Sequence, residues 1–287
     1  MERKDKFISV AMFQLRLDLE SNGKEEYLIS NANYEKQMHT AIGIIHDKKP
    51  DIVVFPEASY SDTFEKDMWE ISKHSLVIFG SIYVDGVNNT IIFQNGEKHS
   101  IPKRYPSPME PMIRVCKPLE EVKFIQKYLK EHIFLVKGEK IIILNCMEYY
   151  KTAYYIARDS SINDNIFAFV SPCNNSNTEI FTQESMALHN HNEVIYSFVC
   201  NTVSIYNGKS YGDGTSYIFG PIQKHEKRWI ASDGIESFKH VSSIAKLDNT
   251  SAYCIYGDFI RPTYMCWFGR SDSYASSPQN LRITNLI

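Results

Sequence analysis

The chain has 287 residues, 43% of them apolar and 23% charged, so it can bury a sizeable core without a metal or a disulfide. Its net charge of −3, with lysine and arginine scattered along the sequence, argues against a nucleic-acid or anionic-membrane surface. The apolar runs are too short to span a bilayer and no signal-peptide core follows the N-terminus, so we expect a cytoplasmic protein that does not enter membranes.

The first third of the chain alternates strands and helices. "FISVAMFQL" is a strand-like opening, and a helix is predicted next from apolar residues at helical spacing: Tyr34, Met38, Ala41, Ile42 and Ile45. "DIVVFPEAS" follows as a buried strand that stops at Pro56, and "TFEKDMWEISKHS" reads as another helix. No repeat or linker divides the sequence, so we expect one domain over residues 1–287.

A meander of strands comes next. "LVIFGSIYV" and "NNTIIFQ" flank Asp85-Gly86, and Asn95-Gly96 follows them, so two tight turns are predicted. The segment 102–118 contains five prolines, which excludes regular structure and predicts a loop.

The second half repeats the alternation. We predict a helix in "LEEVKFIQKYLKEH" and a buried strand in "KIIILNCMEYY" that ends at Cys146. Helices in "YKTAYYIARDSS" and "TQESMALHNHNEVIYS" then alternate with strands in "IFAFVSP" and "FVCNTVS", and the tail is rich in strand signals. The order predicts an α/β protein.

Two buried strands end in residues that can react. "VVFPE" delivers Glu57 and "IILNC" delivers Cys146, while Lys103 stands at the start of the proline-rich loop. A thiol needs a base before it attacks, and a carboxylate can serve. The tetrahedral intermediate then needs positive charge, which a lysine and the backbone N–H after the cysteine can supply.

These three residues resemble the Glu-Lys-Cys triad of the nitrilase (carbon-nitrogen hydrolase) superfamily. The surrounding motifs fall in the same order from about residue 8 to 250: "NNTIIFQNGEKHSIPK" resembles the hairpin before the lysine, "PSPMEP" the loop with a second glutamate, and "YGDGTSYIFGP" a later turn of the family. Met147 stands where many members have an aromatic residue, and "YYKTAYY" replaces the usual pattern after it, so the chain resembles a divergent member.

The resemblance implies a four-layer α-β-β-α sandwich with two mixed sheets face to face. It further implies hydrolysis of a small non-peptide amide, less readily a nitrile, through a thioester on Cys146, with Glu57 as base and Lys103 stabilising the oxyanion. Neither a metal nor an organic cofactor is implied, and a homodimer or larger homo-oligomer is usual. Four further residues are taken as substrate-binding candidates: Glu110, Met147, Glu148 and Asn174.

Each role has a competing interpretation. For Cys146 the alternative is an inert buried thiol, as we expect for Cys173 and Cys200, and for Glu57 it is a cap of the helix after Pro56. Arg104 and Lys117 are rivals of Lys103, and the alternative for Glu110 is a solvated loop charge. For Glu148 the alternative is anchoring its own turn instead of contacting substrate. These alternatives stay open at the level of the sequence.

Other motifs and functions carry less weight. His189 and His191, two apart on a helix, point to different sides and do not form a metal-ligand pair, and the "GDG" at 212–214 lacks the context of a phosphate loop. The alternative function is an inactive nitrilase-like module used for assembly or regulation, such as those attached to bacterial defence systems. An acyltransferase is a third possibility, since the same acyl-enzyme serves both fates.

Overall fold

A computed structural model describes most of the chain. The described residues are 7–21, 27–29, 32–84, 87–105, 107, 121–159, 166–191, 195–220, 228–231, 234–237, 243–247, 251–259, 263–267, 270–274 and 279–287. Glu110, Lys117 and the Asp85-Gly86 turn lie outside them.

Helices and strands alternate through the first two thirds of the chain. The helices are α1 (Ala32–Lys48), α2 (Glu65–Ile71), α3 (Glu121–Lys127), α4 (Met147–Arg158) and α5 (Glu179–His191). The strands before α4 are β1 (Ile8–Gln14), β2 (Arg16–Ser21), β3 (Tyr27–Ile29), β4 (Ile52–Val54), β5 (Leu76–Val84), β6 (Val87–Gln94), β7 (Glu97–Pro102), β8 (Ile133–Val136) and β9 (Glu139–Ile143).

Strands dominate the remainder. They are β10 (Ile166–Cys173), β11 (Tyr196–Asn201), β12 (Val203–Tyr206), β13 (Lys209–Asp213), β14 (Tyr217–Phe219), β15 (Arg228–Ala231), β16 (Gly234–Ser237), β17 (Ser243–Lys246), β18 (Tyr253–Phe259), β19 (Thr263–Trp267), β20 (Arg270–Tyr274) and β21 (Gln279–Asn285).

Two large mixed sheets organise the fold. One has the order β21-β18-β1-β4-β5-β6-β7, and the other has the order β16-β15-β17-β14-β11-β10-β9-β8. In the first, β1, β4 and β5 run parallel; in the second, β9, β10 and β11 do. Each parallel set brings strand C-termini to one edge of its sheet, which is where α/β proteins place their reactive loops.

Three apolar clusters separate the layers. Alternate residues of β1 show this: Val10 and Met12 belong to a cluster shared with the second sheet, whereas Ala11 and Phe13 pack with α1 and α2. A third cluster joins the other face of the second sheet to α3, α4 and α5. One cluster therefore lies between the helices α1 and α2 and the first sheet, one between the two sheets, and one between the second sheet and α3, α4 and α5. The α/β class predicted from the sequence is confirmed.

Several element boundaries differ from the predictions. The helix expected in "TFEKDMWEISKHS" is a 3-10 turn, Asp62–Phe64, followed by the seven-residue α2, and the helix expected in "LEEVKFIQKYLKEH" is α3 followed by a 3-10 turn, Leu129–His132. The strand expected in "FVCNTVS" breaks at Thr202, because β12 leaves the second sheet and pairs with β2 in an additional sheet, β13-β12-β2-β3. Asn95 and Gly96 both have positive φ in the tight turn between β6 and β7, as predicted.

Helix length and composition also bear on membranes. Within the described ranges, no helix has both the length and the apolar content needed to cross a bilayer.

Candidate active site

The structure brings Glu57 and Lys103 into direct contact. Glu57 follows β4 and Lys103 follows β7, both in the first large sheet, and the Lys103 ammonium lies 2.7 Å from the Glu57 carboxylate. The side chains are 1% (Lys103) and 6% (Glu57) exposed. A buried ion pair gains little net stability because both charges lose water, so its presence in a strand-end cluster is typical of a functional site.

Lys103, Asn88 and Asn174 donate hydrogen bonds to the Glu57 carboxylate. Oε1 accepts hydrogen bonds from Lys103 Nζ at 2.7 Å and from Asn88 Nδ2 at 2.8 Å, while Oε2 accepts the backbone N–H of Asn174 at 3.0 Å. The alternative role as a helix cap is not what the geometry provides, because the next helical turn begins only at Asp62. The carboxylate is therefore fixed in orientation inside the protein.

The backbone at Glu57 is clamped between the two large sheets. Its N–H donates to the carbonyl of Cys173 at 3.3 Å, and Gly80 of β5 approaches so closely that a Cβ there would lie 2.0 Å from Glu57 Cα. Ala58 adopts a positive φ of 63° and donates its N–H to the Ser81 hydroxyl. Only glycine fits at position 80, and this close approach sets the position of the carboxylate.

Lys103, and not Arg104, faces the carboxylate. The Lys103 N–H donates to the Asn88 carbonyl at 2.7 Å, so Asn88 contacts both members of the ion pair. The Arg104 guanidinium lies over the Tyr128 ring, 4.3 Å from its centroid, and points toward Glu131. The two neighbouring basic side chains therefore leave the loop in different directions.

Cys146 occupies a strained turn between β9 and α4. The pairing with β10 continues beyond β9, because Cys146 donates its N–H to the Pro172 carbonyl at 2.9 Å, and α4 begins at the next residue. Its φ of 50° and ψ of −107° are rare for a residue with a side chain. Strain of this kind persists where the surrounding structure enforces it, which is common for residues that react.

The charges of Glu57 and Lys103 both act on the Cys146 thiol. Its pKa is held well above the ordinary value, first by a hydrogen bond with Cys173, then by burial and by the negative charge of Glu57, whereas Lys103 lowers it. The resting sulfur is therefore protonated at neutral pH, and it needs a proton acceptor when it attacks.

Glu148 joins the loop that carries Lys103 to the turn that carries Cys146. Its buried carboxylate accepts the N–H of Arg104 at 2.5 Å through Oε1 and the N–H of Asn145 at 3.1 Å through Oε2. This is the anchoring role considered from the sequence, and it extends to a second loop. Its binding of substrate stays a prediction.

The other substrate-binding candidates are Asn174, Met147 and Glu110, and each is related to the ion pair in a different way. Asn174 gives its N–H to Glu57, and its side-chain oxygen accepts the Ser204 hydroxyl at 2.6 Å. Met147 is the first residue of α4, where backbone N–H groups have no acceptor within the helix. Glu110 lies outside the described residues, so its role stays a prediction.

Asn88, Asn145 and Gly80 are site residues that the sequence analysis missed. Asn145 Nδ2 donates to the Gly80 carbonyl at 2.8 Å and to the Thr90 hydroxyl at 2.9 Å, which links the two large sheets next to Cys146. The sequence contained one signal for Asn88. Asn88, Thr90 and Ile92 lie on the same face of the strand "NNTIIFQ", and Ile92 is in the core between the sheets, so two polar residues share a core-facing side.

Comparison with solved structures gives the relatives of this fold. A CN-hydrolase superfamily protein from Xanthomonas campestris, described with an arsenic adduct in its active site, matches with a TM-score of 0.50 and 9% identity over 75% of this chain and 83% of that one. Nit3 of Saccharomyces cerevisiae, a nitrilase superfamily member, matches with a TM-score of 0.50 and 15% identity over 88% and 90% of the two chains.

A glutamine-dependent NAD+ synthetase from Acinetobacter baumannii also matches with a TM-score of 0.50 and 15% identity. It aligns with 89% of this chain, which spans 46% of the synthetase. No protein-family model matches the sequence, and neither does any curated protein. The chain has the fold of the nitrilase (CN-hydrolase) superfamily, and the resemblance predicted from its sequence is confirmed for the fold.

Proposed function

We propose that the protein hydrolyses a carbon-nitrogen bond of a small non-peptide amide, with Cys146 as nucleophile, Glu57 as general base and Lys103 as oxyanion stabiliser. The observation that carries this proposal is the buried ion pair of Glu57 and Lys103, whose two charges act on the thiol at the strained turn. A fold shared with CN-hydrolases supports the class of reaction.

The proton of Cys146 passes to Glu57 as the sulfur attacks the amide carbon. Oε1 of Glu57 accepts hydrogen bonds from Lys103 and Asn88, and Oε2 accepts the N–H of Asn174. These bonds orient the carboxylate that takes the proton. Because the thiol is neutral at rest, proton transfer accompanies attack, which is general-base catalysis and not the use of a preformed thiolate.

The tetrahedral intermediate carries its negative charge on the former carbonyl oxygen. Lys103 and the N–H of Met147, at the positive end of α4, supply the stabilising charge. The same proton on Glu57 then goes to the leaving nitrogen, and a water molecule activated by Glu57 releases the acid from the thioester. Glu110, Glu148 and Asn174 complete the proposal as substrate-side or positioning residues.

The test is a screen of small primary amides with detection of released ammonia. An amide turned over by the native chain is expected to be unaffected by Cys254→Ser, because Cys254 is a buried thiol in the cluster with α1 and α2. Cys146→Ala abolishes turnover, and Glu57→Gln and Lys103→Met each lower kcat/KM by about 10² or more. Turnover that survives Cys146→Ala would refute the assignment of the nucleophile.

A further inference from the structure

A second buried thiol, Cys173, stands beside the proposed nucleophile. Ile143 of β9 pairs with Val170 of β10 in the parallel ladder, and the bond from Cys146 N–H to the Pro172 carbonyl continues it. Cys146 is three residues beyond Ile143, and Cys173 is three residues beyond Val170. The two cysteines are therefore neighbours on adjacent strands. Adjacent strands are about 4.8 Å apart, within the Cα separation of roughly 4.4–6.8 Å that a disulfide spans.

The two thiols also face the same side of the sheet. Both belong to the apolar cluster beneath α4 and α5, both are 1% exposed, and the Cys173 side chain is the largest influence that raises the pKa of Cys146. The Ser171 hydroxyl lies 3.3 Å from the Cys173 sulfur. The hydrolytic steps make no use of the Cys173 thiol, and the Cys173 backbone carbonyl accepts the N–H of Glu57.

We infer that Cys146 and Cys173 form a reversible disulfide after oxidation by a hydroperoxide, with Cys146 as the oxidised thiol and Cys173 as the resolving thiol. Cys146 loses its proton and its sulfur bonds to one peroxide oxygen. The O–O bond breaks, and the departing oxygen takes the proton to leave as water or an alcohol. The Cys173 sulfur then attacks the sulfenic sulfur, the S–O bond breaks as the S–S bond forms, and the departing hydroxyl takes the Cys173 proton and leaves as water.

Each cycle removes two electrons from the thiols and gives them to the peroxide, and a dithiol reductant returns them. The disulfide blocks the nucleophile while it protects that sulfur from irreversible oxidation to the sulfinic acid. The reaction requires no amide substrate, so it holds or fails independently of the proposed hydrolysis.

Two other buried cysteines, Cys200 and Cys254, are placed differently. The Cys200 thiol donates to the Phe13 carbonyl at 3.2 Å in the core between the two sheets, and Cys254 lies in the cluster with α1 and α2. Both are matched controls, because they are as deeply buried as the proposed pair.

The experiment treats the full-length folded chain with a small excess of hydrogen peroxide, alkylates free thiols under denaturing conditions, and maps the disulfides by mass spectrometry. Digestion with trypsin and a glutamate-specific protease separates Cys146, Cys173 and Cys200 into the peptides 141–148, 159–179 and 194–209. We expect peptides 141–148 and 159–179 to be linked, the number of free thiols per chain to fall by two, and dithiothreitol to restore both.

Two variants distinguish disulfide formation by Cys173 from general oxidation of buried thiols. Cys173→Ser is expected to remove the linked peptide and let Cys146 proceed to the sulfinic acid, whereas Cys254→Ser leaves the linked peptide in place. A monosubstituted trivalent arsenical, which condenses with two neighbouring thiols and releases water, is expected to protect both peptides from alkylation in the native chain and neither in Cys173→Ser. Sulfinic acid on Cys146 with Cys173 still a free thiol in the native chain, or a disulfide to another cysteine, would overturn the inference.

Discussion

Gly80 gives the sharpest prediction about how the site is built. A Cβ at this position would lie 2.0 Å from Glu57 Cα, 2.2 Å from Glu57 N and 2.3 Å from the Pro56 carbonyl, all of them backbone atoms. Since non-bonded carbons sit at about 3.5–4.0 Å, Gly80→Ala forces the backbone apart by about 1.5 Å or more. The Glu57–Lys103 contact of 2.7 Å cannot survive a displacement of that size.

We expect Gly80→Ala to lower the free energy of unfolding by about 1–3 kcal/mol, the cost of overpacking a rigid site, and to lower kcat/KM by about 10² in chains that still fold. The control is Gly43→Ala in α1, where an added Cβ meets nothing within 4 Å and where alanine stabilises a helix by up to about 1 kcal/mol. Urea denaturation measures both variants. Equal stability of Gly80→Ala and the native chain would show that the close approach at Glu57 does not exist.

Three further variants test the site and the packing around it. Asn88→Asp places a second carboxylate against Glu57, so the pKa of Glu57 should rise and the acid limb of the kcat/KM profile should move to higher pH; an unmoved limb would contradict the contact. Glu148→Gln removes one of the two carboxylate oxygens that accept the backbone N–H groups of Arg104 and Asn145. The free energy of unfolding, measured by denaturation, should therefore fall by about 1.5–3 kcal/mol. Burial raises the pKa of Glu184 to about 7. The folded chain therefore binds the Glu184 proton more tightly than the unfolded chain does, and the free energy of unfolding falls as the pH rises from 5 toward 8 and this carboxyl ionises. Glu184→Gln should therefore stabilise the chain by about 1–2 kcal/mol at pH 8 and by much less at pH 5, and the opposite order would refute the shift.

Local patterns were sufficient to predict the elements that carry the site. Glu57 and Cys146 each follow an apolar run that could only be a buried strand, and strands of that kind end at the edge where α/β proteins react. Lys103 was predicted from its place in the order of motifs, since its own loop contains no pattern that separates it from Arg104. The α/β class followed from the same alternation of strands and helices.

Pairings between distant strands were not predictable in this way. Gly80 and Asn88 matter because β5 and β6 pass close to Glu57, and no local pattern fixes that distance. Cys173 was expected to be structural, since most buried thiols are inert, and its position beside Cys146 depends on the register of β9 with β10. The sheet formed by β2, β3, β12 and β13 was missed because its strands are short and partly polar.

The central claim is that Cys146 reacts as a nucleophile with Glu57 as its base, and acyl transfer from an activated ester tests it most directly. On mixing the native chain with p-nitrophenyl acetate, we predict a burst of nitrophenolate with one acyl group per chain on peptide 141–148. The burst should vanish in Cys146→Ala and slow by about 10² or more in Glu57→Gln. Acylation of other residues, or an undiminished burst in Glu57→Gln, would contradict the account.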